Sequence, residues 1–168
     1  LRGRFAVLSG GPGTGKTTTV VALLACLLEE HPELRVSLAA PTGKAAARIL
    51  EAVRQNAASL PPELRQRLPG ESSTVHRLLG ATGEAGRFRH HRGNPLPLDA
   101  LVVDEASMLD LSLAVHLLEA LPPQARLILL GDKDQLAAVE AGAIFAEISA
   151  DAGKSTECLQ ALSGWVST

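Results

Sequence analysis

Residues 5–19 read FAVLSGGPGTGKTTT, and this stretch decides the fold. It begins with a short apolar run from Phe5 to Leu8, which predicts a buried strand. The run ends in a glycine-rich loop over 10–17, after which apolar residues recur at helical spacing. A strand, a G-x-x-x-x-G-K-[ST] loop and a helix in this order predict a phosphate-binding loop.

Each residue type in this loop has a chemical role. Glycines let backbone N–H groups curl around phosphate oxygens without a Cβ in the way, and the start of the helix adds a dipole that favours an anion. Lys16 can reach the β- and γ-phosphates of a nucleotide, and the Thr17 hydroxyl can bind Mg²⁺. The predicted nucleotide-binding residues are Gly10, Gly11, Pro12, Gly13, Thr14, Gly15, Lys16, Thr17 and Thr18.

The composition narrows the classes of protein. The 168 residues suffice for one domain with a core and not comfortably for two. Aromatic residues make up only 2% of the chain, too few to bind single-stranded nucleic acid by stacking its bases on aromatic rings. The formal net charge of −2 provides no global basic field for DNA. Any nucleic-acid contact must therefore use backbone, hydroxyl and local basic groups.

The cysteines and the apolar runs indicate the cellular compartment in which the protein works. Cys26 lies in the run LLACLL and is predicted to be a core residue. Cys158 is far from it and neither has metal-ligand spacing, a pattern that suits a reducing cytosol. The sequence shows no signal peptide and no apolar run long enough to cross a bilayer, so we predict a cytoplasmic location without a membrane. Because the chain starts at Leu1, almost on its first strand, we expect a piece of a longer protein.

Strand, short loop and helix recur along the chain. This alternation predicts an α/β domain with a mostly parallel sheet and helices on both faces. The predicted strands are Phe5–Leu8, Arg35–Ala40, Asp99–Val103 and Arg126–Leu130, and the predicted helices lie at 16–30, 45–55, 110–121 and 142–150. The connections are predicted to hold a short helical piece at 63–68, a helix cap at 72–74 before a turn of helix at 75–79, and a loop or small hairpin at 80–98.

Acidic and amide side chains follow two of the strands. In open α/β sheets a ligand lies outside the carboxyl ends of the strands, so these side chains converge with the glycine loop. Asp104 can hold Mg²⁺ opposite Thr17, and Glu105 is placed to take a proton from a water that attacks the γ-phosphate. Gln135 either orients that water or is an ordinary loop glutamine.

Two further loop-to-helix junctions carry hydroxyl and basic groups. Each is either a plain turn with a helix cap or a contact to a phosphodiester backbone. The candidate DNA-binding residues are Pro41, Thr42, Gly43, Lys44, Thr74, His76 and Arg77. His90 and His91 are neighbours on a loop without other metal-ligand types nearby, which favours a solvated loop over a metal site.

The motifs in their order resemble those of superfamily 1 DNA helicases. Motif I corresponds to GGPGTGKTTT, motif Ia to APTGKAAARI, a further DNA-contacting motif to STVHRLLG, motif II to VVDEASML and motif III to LGDKDQL. Together with RHHRGNPLPLD and GDKDQLAAVEAGAIF, they are most similar to the RecD family, the α chains of the bacterial RecBCD complex, exonuclease V. The similarity covers nearly the whole chain and is strongest at 5–50 and 72–148.

The resemblance implies a RecA-like P-loop NTPase domain of a 5′-to-3′ motor on single-stranded DNA. It implies ATP and Mg²⁺ as cofactors and RecB and RecC as partners in recombinational repair. It also implies that the fourth predicted strand lies between the strand of the phosphate loop and the strand of the acidic pair. The implied roles are MgATP binding by Lys16 and Thr17, metal binding and water activation by Asp104 and Glu105, coupling of the nucleotide to domain closure by Gln135, and DNA contact by Pro41, Thr42, Lys44, Thr74 and His76.

The chain departs from the family in its extent. The family's second RecA-like domain, with the arginine that completes the ATP site, is missing, so we expect 1–168 to be one motor domain that is nearly inactive alone. Two other functions compete with a helicase motor. One is a small-molecule kinase with 87–92 as a basic lid, in which PTGKAAAR and GDKDQL have no natural role. The other is a nucleotide-responsive binding module without turnover, against which the intact Glu105 argues.

Overall fold

The computed structural model describes residues 5–11, 13–82 and 87–131. The elements of these ranges are β1 (Phe5–Ser9), α1 (Lys16–Glu30), β2 (Val36–Ala40), α2 (Gly43–Asn56), α3 (Pro62–Arg67), β3 (Ser72–Thr74), α4 (Val75–Leu79), β4 (Ala100–Val103), α5 (Leu111–Ala120) and β5 (Arg126–Gly131), with short 3-10 turns at Ala57–Ser59 and Ala106–Met108. The predicted helix at 142–150 lies outside the described residues.

The five strands form one sheet in the order β1-β5-β4-β2-β3, and every pairing is parallel. Phe5 of β1 pairs with Leu127 of β5, and Val103 of β4 pairs with Leu129 on the other side of β5. This confirms the parallel sheet and the position of the Arg126–Gly131 strand between the phosphate-loop strand and the acidic-pair strand. Because the strands are parallel, all their carboxyl ends meet at one edge of the sheet.

Helices cover both faces of the sheet, as predicted. Leu24 of α1 and Ile49 of α2 share one buried cluster with Val102. Leu117 of α5 belongs to a second cluster with Leu101. Neighbouring residues of a strand point to opposite faces, so the continuous apolar run of β4 feeds both clusters at once.

The strand β3 was not predicted, because Ser72–Thr74 was interpreted only as a helix cap. The cap exists, since Thr74 Oγ1 accepts a hydrogen bond from the backbone N–H of Arg77. The same three residues also pair with β2 at the end of the sheet. A strand of three polar residues carries no apolar alternation, so nothing in the sequence distinguishes it from a cap.

The prediction that Cys26 lies in the core is wrong: the thiol is exposed. Consecutive residues of an α-helix are separated by 100°, which places Cys26 on the side opposite the buried Leu24. An apolar run longer than the buried face of its helix necessarily leaves one member in solvent.

The segment after α4 was predicted to be a loop or a small hairpin, and two isolated bridges favour the hairpin. Antiparallel bridges join Ala81 to Phe88 and His91 to Asn94. Gly80 has φ of 69°, and a Cβ built there would lie 2.8 Å from the Cβ of Arg89, so the base of the hairpin requires glycine. Among the residues with a described structure, no helix is both long and apolar enough to span a membrane.

Candidate functional site

The loop between β1 and α1 depends on glycine at two kinds of position. Gly13 and Gly15 have φ of 78° and 79°, a region that L side chains enter only with strain. Gly10 has an ordinary φ, but a Cβ there would lie 2.7 Å from Thr14 Oγ1. The Thr14 hydroxyl donates to the carbonyl of Gly11 at 2.9 Å and closes the turn. The loop is thus shaped for backbone groups alone, as phosphate binding requires.

Lys16, the first residue of α1, folds back over this loop. Its ammonium donates hydrogen bonds to the carbonyls of Gly10 and, at 3.0 Å, Gly11. These bonds hold a partly buried cation at the entrance of the loop. A phosphate placed there would meet both the charge of Lys16 and the N-terminal end of the α1 dipole.

A cavity of about 460 Å³ opens in front of the loop. Its size falls within the usual range for small-molecule and cofactor sites. It is lined by Gly11, Gly13, Thr14, Gly15, Lys16, Thr17, Thr18, Arg48, Ile49, Ala52, Asn56, Asp104, Glu105, Ser107 and Gly131. The structure therefore brings most of the predicted nucleotide residues together with the acidic pair. Pro12 and Gln135 lie outside the described residues, so their predicted roles stay predictions.

Asp104 stands at the end of β4 and is half-buried. Its Oδ1 accepts a hydrogen bond from the Glu105 backbone N–H at 2.8 Å, and its Oδ2 has no protein partner within the described ranges. Burial raises the pKa of the Asp104 carboxyl, opposed by that hydrogen bond and by the charges of Lys16 and Arg48. A cation beside the carboxylate offsets the cost of burying its charge. Asp104 and Thr17, which line one cavity, therefore fit the oxygen ligands that Mg²⁺ prefers.

Glu105 has φ of 51° and ψ of 36°, the only non-glycine residue with positive φ in the described part of the chain. Such a conformation costs on the order of 1–2 kcal/mol. Strained residues of this kind concentrate at functional sites, where the surrounding structure holds them. Here the strain turns the chain directly after β4 and keeps the Glu105 side chain at the cavity. Its Oε1 lies 3.5 Å from Arg48 Nη1.

Sequence reasoning missed six residues of the cavity lining, of which three carry polar side chains: Arg48, Asn56 and Ser107. Arg48 and Asn56 come from α2, and Asn56 Oδ1 accepts a hydrogen bond from Thr18 Oγ1 at 2.8 Å. Ser107 is 3% exposed and finds no hydrogen-bond partner among the described residues. The spacing of Arg48, Ala52 and Asn56 at i, i+4 and i+8 was the available signal, because it marks one stripe of a helix.

The candidate DNA residues lie at the same edge of the sheet but beyond β4. Thr42 caps α2 by accepting from the N–H of Ala45 at 3.2 Å, and Thr74 caps α4 in the same way. Thr74 pairs with Ala40, the last residue of β2, and Thr42 follows two residues later, so the two caps lie at the ends of adjacent strands. The exposed side chains around them are Lys44, His76 and Arg77. Both junctions are capped turns, as one of the two interpretations predicts, and DNA contact stays a proposal.

The imidazole rings of the two adjacent histidines contact backbone groups of the same hairpin. His91 Nδ1 accepts from the N–H of Gly93 at 3.1 Å, and His90 Nδ1 lies 3.3 Å from the carbonyl of Asn94. Over 5–11, 13–82 and 87–131, no three His, Cys, Asp or Glu side chains are grouped as metal ligands. These contacts are those of loop-stabilising side chains.

Comparison with known proteins identifies the family. The model of the AAA domain family matches residues 1–141. The RecD subunit of the RecBCD enzyme from Mycolicibacterium smegmatis is 55% identical over 151 residues, which is 86% of this chain and 27% of that protein. The ATP-dependent RecD2 DNA helicase from Deinococcus radiodurans is 48% identical over 139 residues, which is 83% of this chain and 17% of that protein.

A solved structure of Bacteroides Pif1 in complex with ADP-AlF4 is 22% identical, with a TM-score of 0.46, over 85% of this chain and 32% of that one. The chain spans about a quarter or less of the length of the RecD and RecD2 proteins that it matches.

Proposed function

The chain belongs to the AAA domain family, and from this premise we propose that it is the ATP-hydrolysing motor domain of a 5′-to-3′ DNA helicase. One observation carries the proposal: a single cavity holds the glycine loop, Lys16 and the pair Asp104 and Glu105. A second set of exposed donors stands beside it on the same sheet edge. This arrangement suits a motor, which must couple a nucleotide to a polymer.

We propose the following roles inside the cavity. Lys16 and the loop N–H groups bind the β- and γ-phosphates. Thr17 and Asp104 would hold Mg²⁺, which would supply neutralisation of the charge on the phosphates. Glu105 accepts the proton of the attacking water. Gln135, which follows β5, is proposed to respond to the γ-phosphate.

Single-stranded DNA is proposed to lie across the ends of β2 and β3. Pro41, Thr42, Gly43 and Lys44 would contact its backbone from the start of α2. Thr74, His76 and Arg77 would do so from the start of α4. Hydroxyls, backbone N–H groups and exposed cations are the usual donors to phosphate oxygens, and they carry little sequence preference.

The names of two relatives suggest different assemblies for the full-length protein. One is named as a RecBCD subunit and the other as an ATP-dependent RecD2 helicase. We propose the former, with RecB and RecC as partners in double-strand break repair in the cytoplasm, because the identity is higher. Co-purification of tagged full-length protein with RecB and RecC tests this. A monomer that unwinds DNA without them would favour the RecD2-type helicase.

The test of the motor function is MgATP hydrolysis with and without a single-stranded oligonucleotide. It compares this chain with an extended protein, in which the chain is continued to the length of its relatives. We expect strong DNA stimulation in the extended protein, loss of that activity in Lys16→Ala, and near silence of the chain alone. The chain alone should be nearly inactive because an arginine supplied by a second domain raises the hydrolysis rate by a factor on the order of 10³–10⁵. DNA-independent hydrolysis by the extended protein would instead indicate a small phosphate acceptor.

A further inference from the structure

Helix α2 presents one stripe to the nucleotide cavity. Arg48, Ala52 and Asn56, spaced four residues apart, all line it. Asn56 binds the Thr18 hydroxyl on the first turn of α1, while Arg48 lies across the cavity with Nη1 3.5 Å from Glu105 Oε1. One helix therefore touches both the phosphate-loop side and the acidic side of the site.

The same helix begins at the proposed DNA contact. Its N-cap is Thr42, and Lys44 is exposed in its first turn. Arg48 is one turn further along. The inward face of α2 between them is packed, with Ala45, Ala46 and Ile49 all buried. A packed helix of this kind moves as a unit, so a displacement at Thr42 reaches Arg48.

The contact of Arg48 with Glu105 opposes the chemistry of Glu105. A general base must offer its carboxylate to a water molecule within hydrogen-bond reach. In the structure, a guanidinium faces that carboxylate instead. The Arg48 side chain is 72% exposed and that of Glu105 31%, so the pair is open to solvent and easily exchanged.

We propose that Arg48 is a positioning residue that restrains Glu105 in the absence of DNA, and that single-stranded DNA bound at the start of α2 releases it. This inference rests on the proposed motor function. In this proposal Arg48 makes hydrolysis more dependent on DNA, and it does not bind the phosphates.

The expected size follows from the nature of the contact. An exposed ion pair favours its paired state by about two- to fivefold. Arg48→Gln should therefore raise the DNA-free kcat by about that factor. The kcat at saturating DNA and the KM for ATP should stay within about twofold of the unchanged protein, so the stimulation ratio falls by about two- to fivefold.

The experiment measures steady-state MgATP hydrolysis of the extended protein with and without saturating oligonucleotide. Arg48→Lys keeps a cation with a shorter reach and should give an intermediate ratio. Arg54→Gln is the matched control: Arg54 is exposed on the same helix, but its Nη2 donates to the carbonyl of Gly70 at 2.8 Å, away from the cavity. It should leave the ratio unchanged.

Every outcome decides the proposal. A lowered ratio in Arg48→Gln with unchanged KM, beside a normal ratio in Arg54→Gln, supports it. An unchanged ratio overturns it, and so does a raised KM or a parallel fall of both rates, since these would make Arg48 a phosphate ligand. If the unchanged protein hydrolyses ATP without DNA stimulation, the motor function itself fails, and the restraint has nothing to regulate.

Discussion

Asp104 shows how a single residue can weaken a fold and serve a site. Its carboxylate is half-buried, and burial raises its pKa because the charged form has lost water. The nearby cations only partly offset this. A carboxylate kept in such a place is a common sign of function, because structure alone would favour a neutral group.

We expect Asp104→Asn to stabilise the nucleotide-free chain by about 0.5–2 kcal/mol, the size of a common stabilising substitution, because it removes a half-buried charge. The amide keeps the shape and the acceptor for the Glu105 N–H but carries no charge. Urea unfolding measures the gain. The same variant should lose Mg²⁺-dependent nucleotide binding, measured with a fluorescent ATP analogue. Equal or lower stability would contradict the account of Asp104.

Two serines in different surroundings allow the effect of removing a hydroxyl on stability to be compared. The Ser107 hydroxyl is buried without a partner in the described part of the structure, whereas Ser72 Oγ donates to the Ala46 carbonyl at 2.7 Å. A satisfied hydrogen bond contributes about 1 kcal/mol, whereas Ser107, which lines the cavity, has no protein hydrogen bond to lose among the described residues. We therefore expect Ser107→Ala to be neutral and Ser72→Ala to destabilise by about 1 kcal/mol in chemical unfolding. Loss of stability in Ser107→Ala would mean that its hydroxyl has a partner.

At the scale of elements, one ion pair joins the starts of two strands. Arg35 precedes β2 and Asp99 precedes β4. Asp99 Oδ2 accepts from both the backbone N–H and the Nε of Arg35, at 2.9 Å each. These hydrogen bonds lower the pKa of Asp99 from 3.8 to about 2. The contact lies at the amino ends of the strands, far from the cavity, so its role is structural.

The direction of the resulting pH dependence is set by that shift. Because the pKa of Asp99 is lower in the folded than in the unfolded chain, the pair stabilises the fold above about pH 4 and loses this contribution as the pH falls toward 2. Asp99→Asn should lower the melting temperature at pH 7 and flatten its decline over that window. The exposure of the pair makes the effect small. An identical acid decline in the variant would exclude Asp99 as its source.

The elements also show what a sequence can and cannot predict. The bounds of α1 were predicted to the residue, because the glycine loop sets its start and Pro32 limits its end. β3 was missed, since three polar residues carry no pattern, and Cys26 was misplaced because its helix is apolar on more than its buried face. In the site, the position of Asp104 and Glu105 at the cavity could be predicted from the apolar strand that precedes them. Arg48 shares one stripe of α2 with Asn56, but that spacing does not say what the stripe faces. Ser107 carries no pattern at all, because it reaches the cavity only through the turn after β4.

At the scale of the whole molecule, the cavity gathers parts of the chain that are distant in sequence. Its lining comes from the loop after β1, from α2, and from the ends of β4 and β5. A ligand that contacts all of them binds only the folded chain, so it stabilises the fold through mass action. At about 100 times its Kd, MgATP should add about 2.7 kcal/mol to the free energy of unfolding.

A melting-temperature titration with MgATP measures this stabilisation. The Lys16→Ala variant, which lacks the cation held over the loop, should show little shift at the same nucleotide concentration. A shift of equal size in both proteins would place the nucleotide elsewhere.

The pairing of Phe5 with Leu127 determines when this site can form during synthesis. Within the described sheet β1 contacts only β5, so β1 cannot pair until β5, the described strand farthest from it along the chain, has left the ribosome. At roughly 5–20 residues per second this wait is on the order of ten seconds. Until then the phosphate loop has no anchored strand behind it. Nascent chains that stop before β5 would expose an unpaired β1 that can pair with other chains, and the cavity is complete only after β5 has joined the sheet.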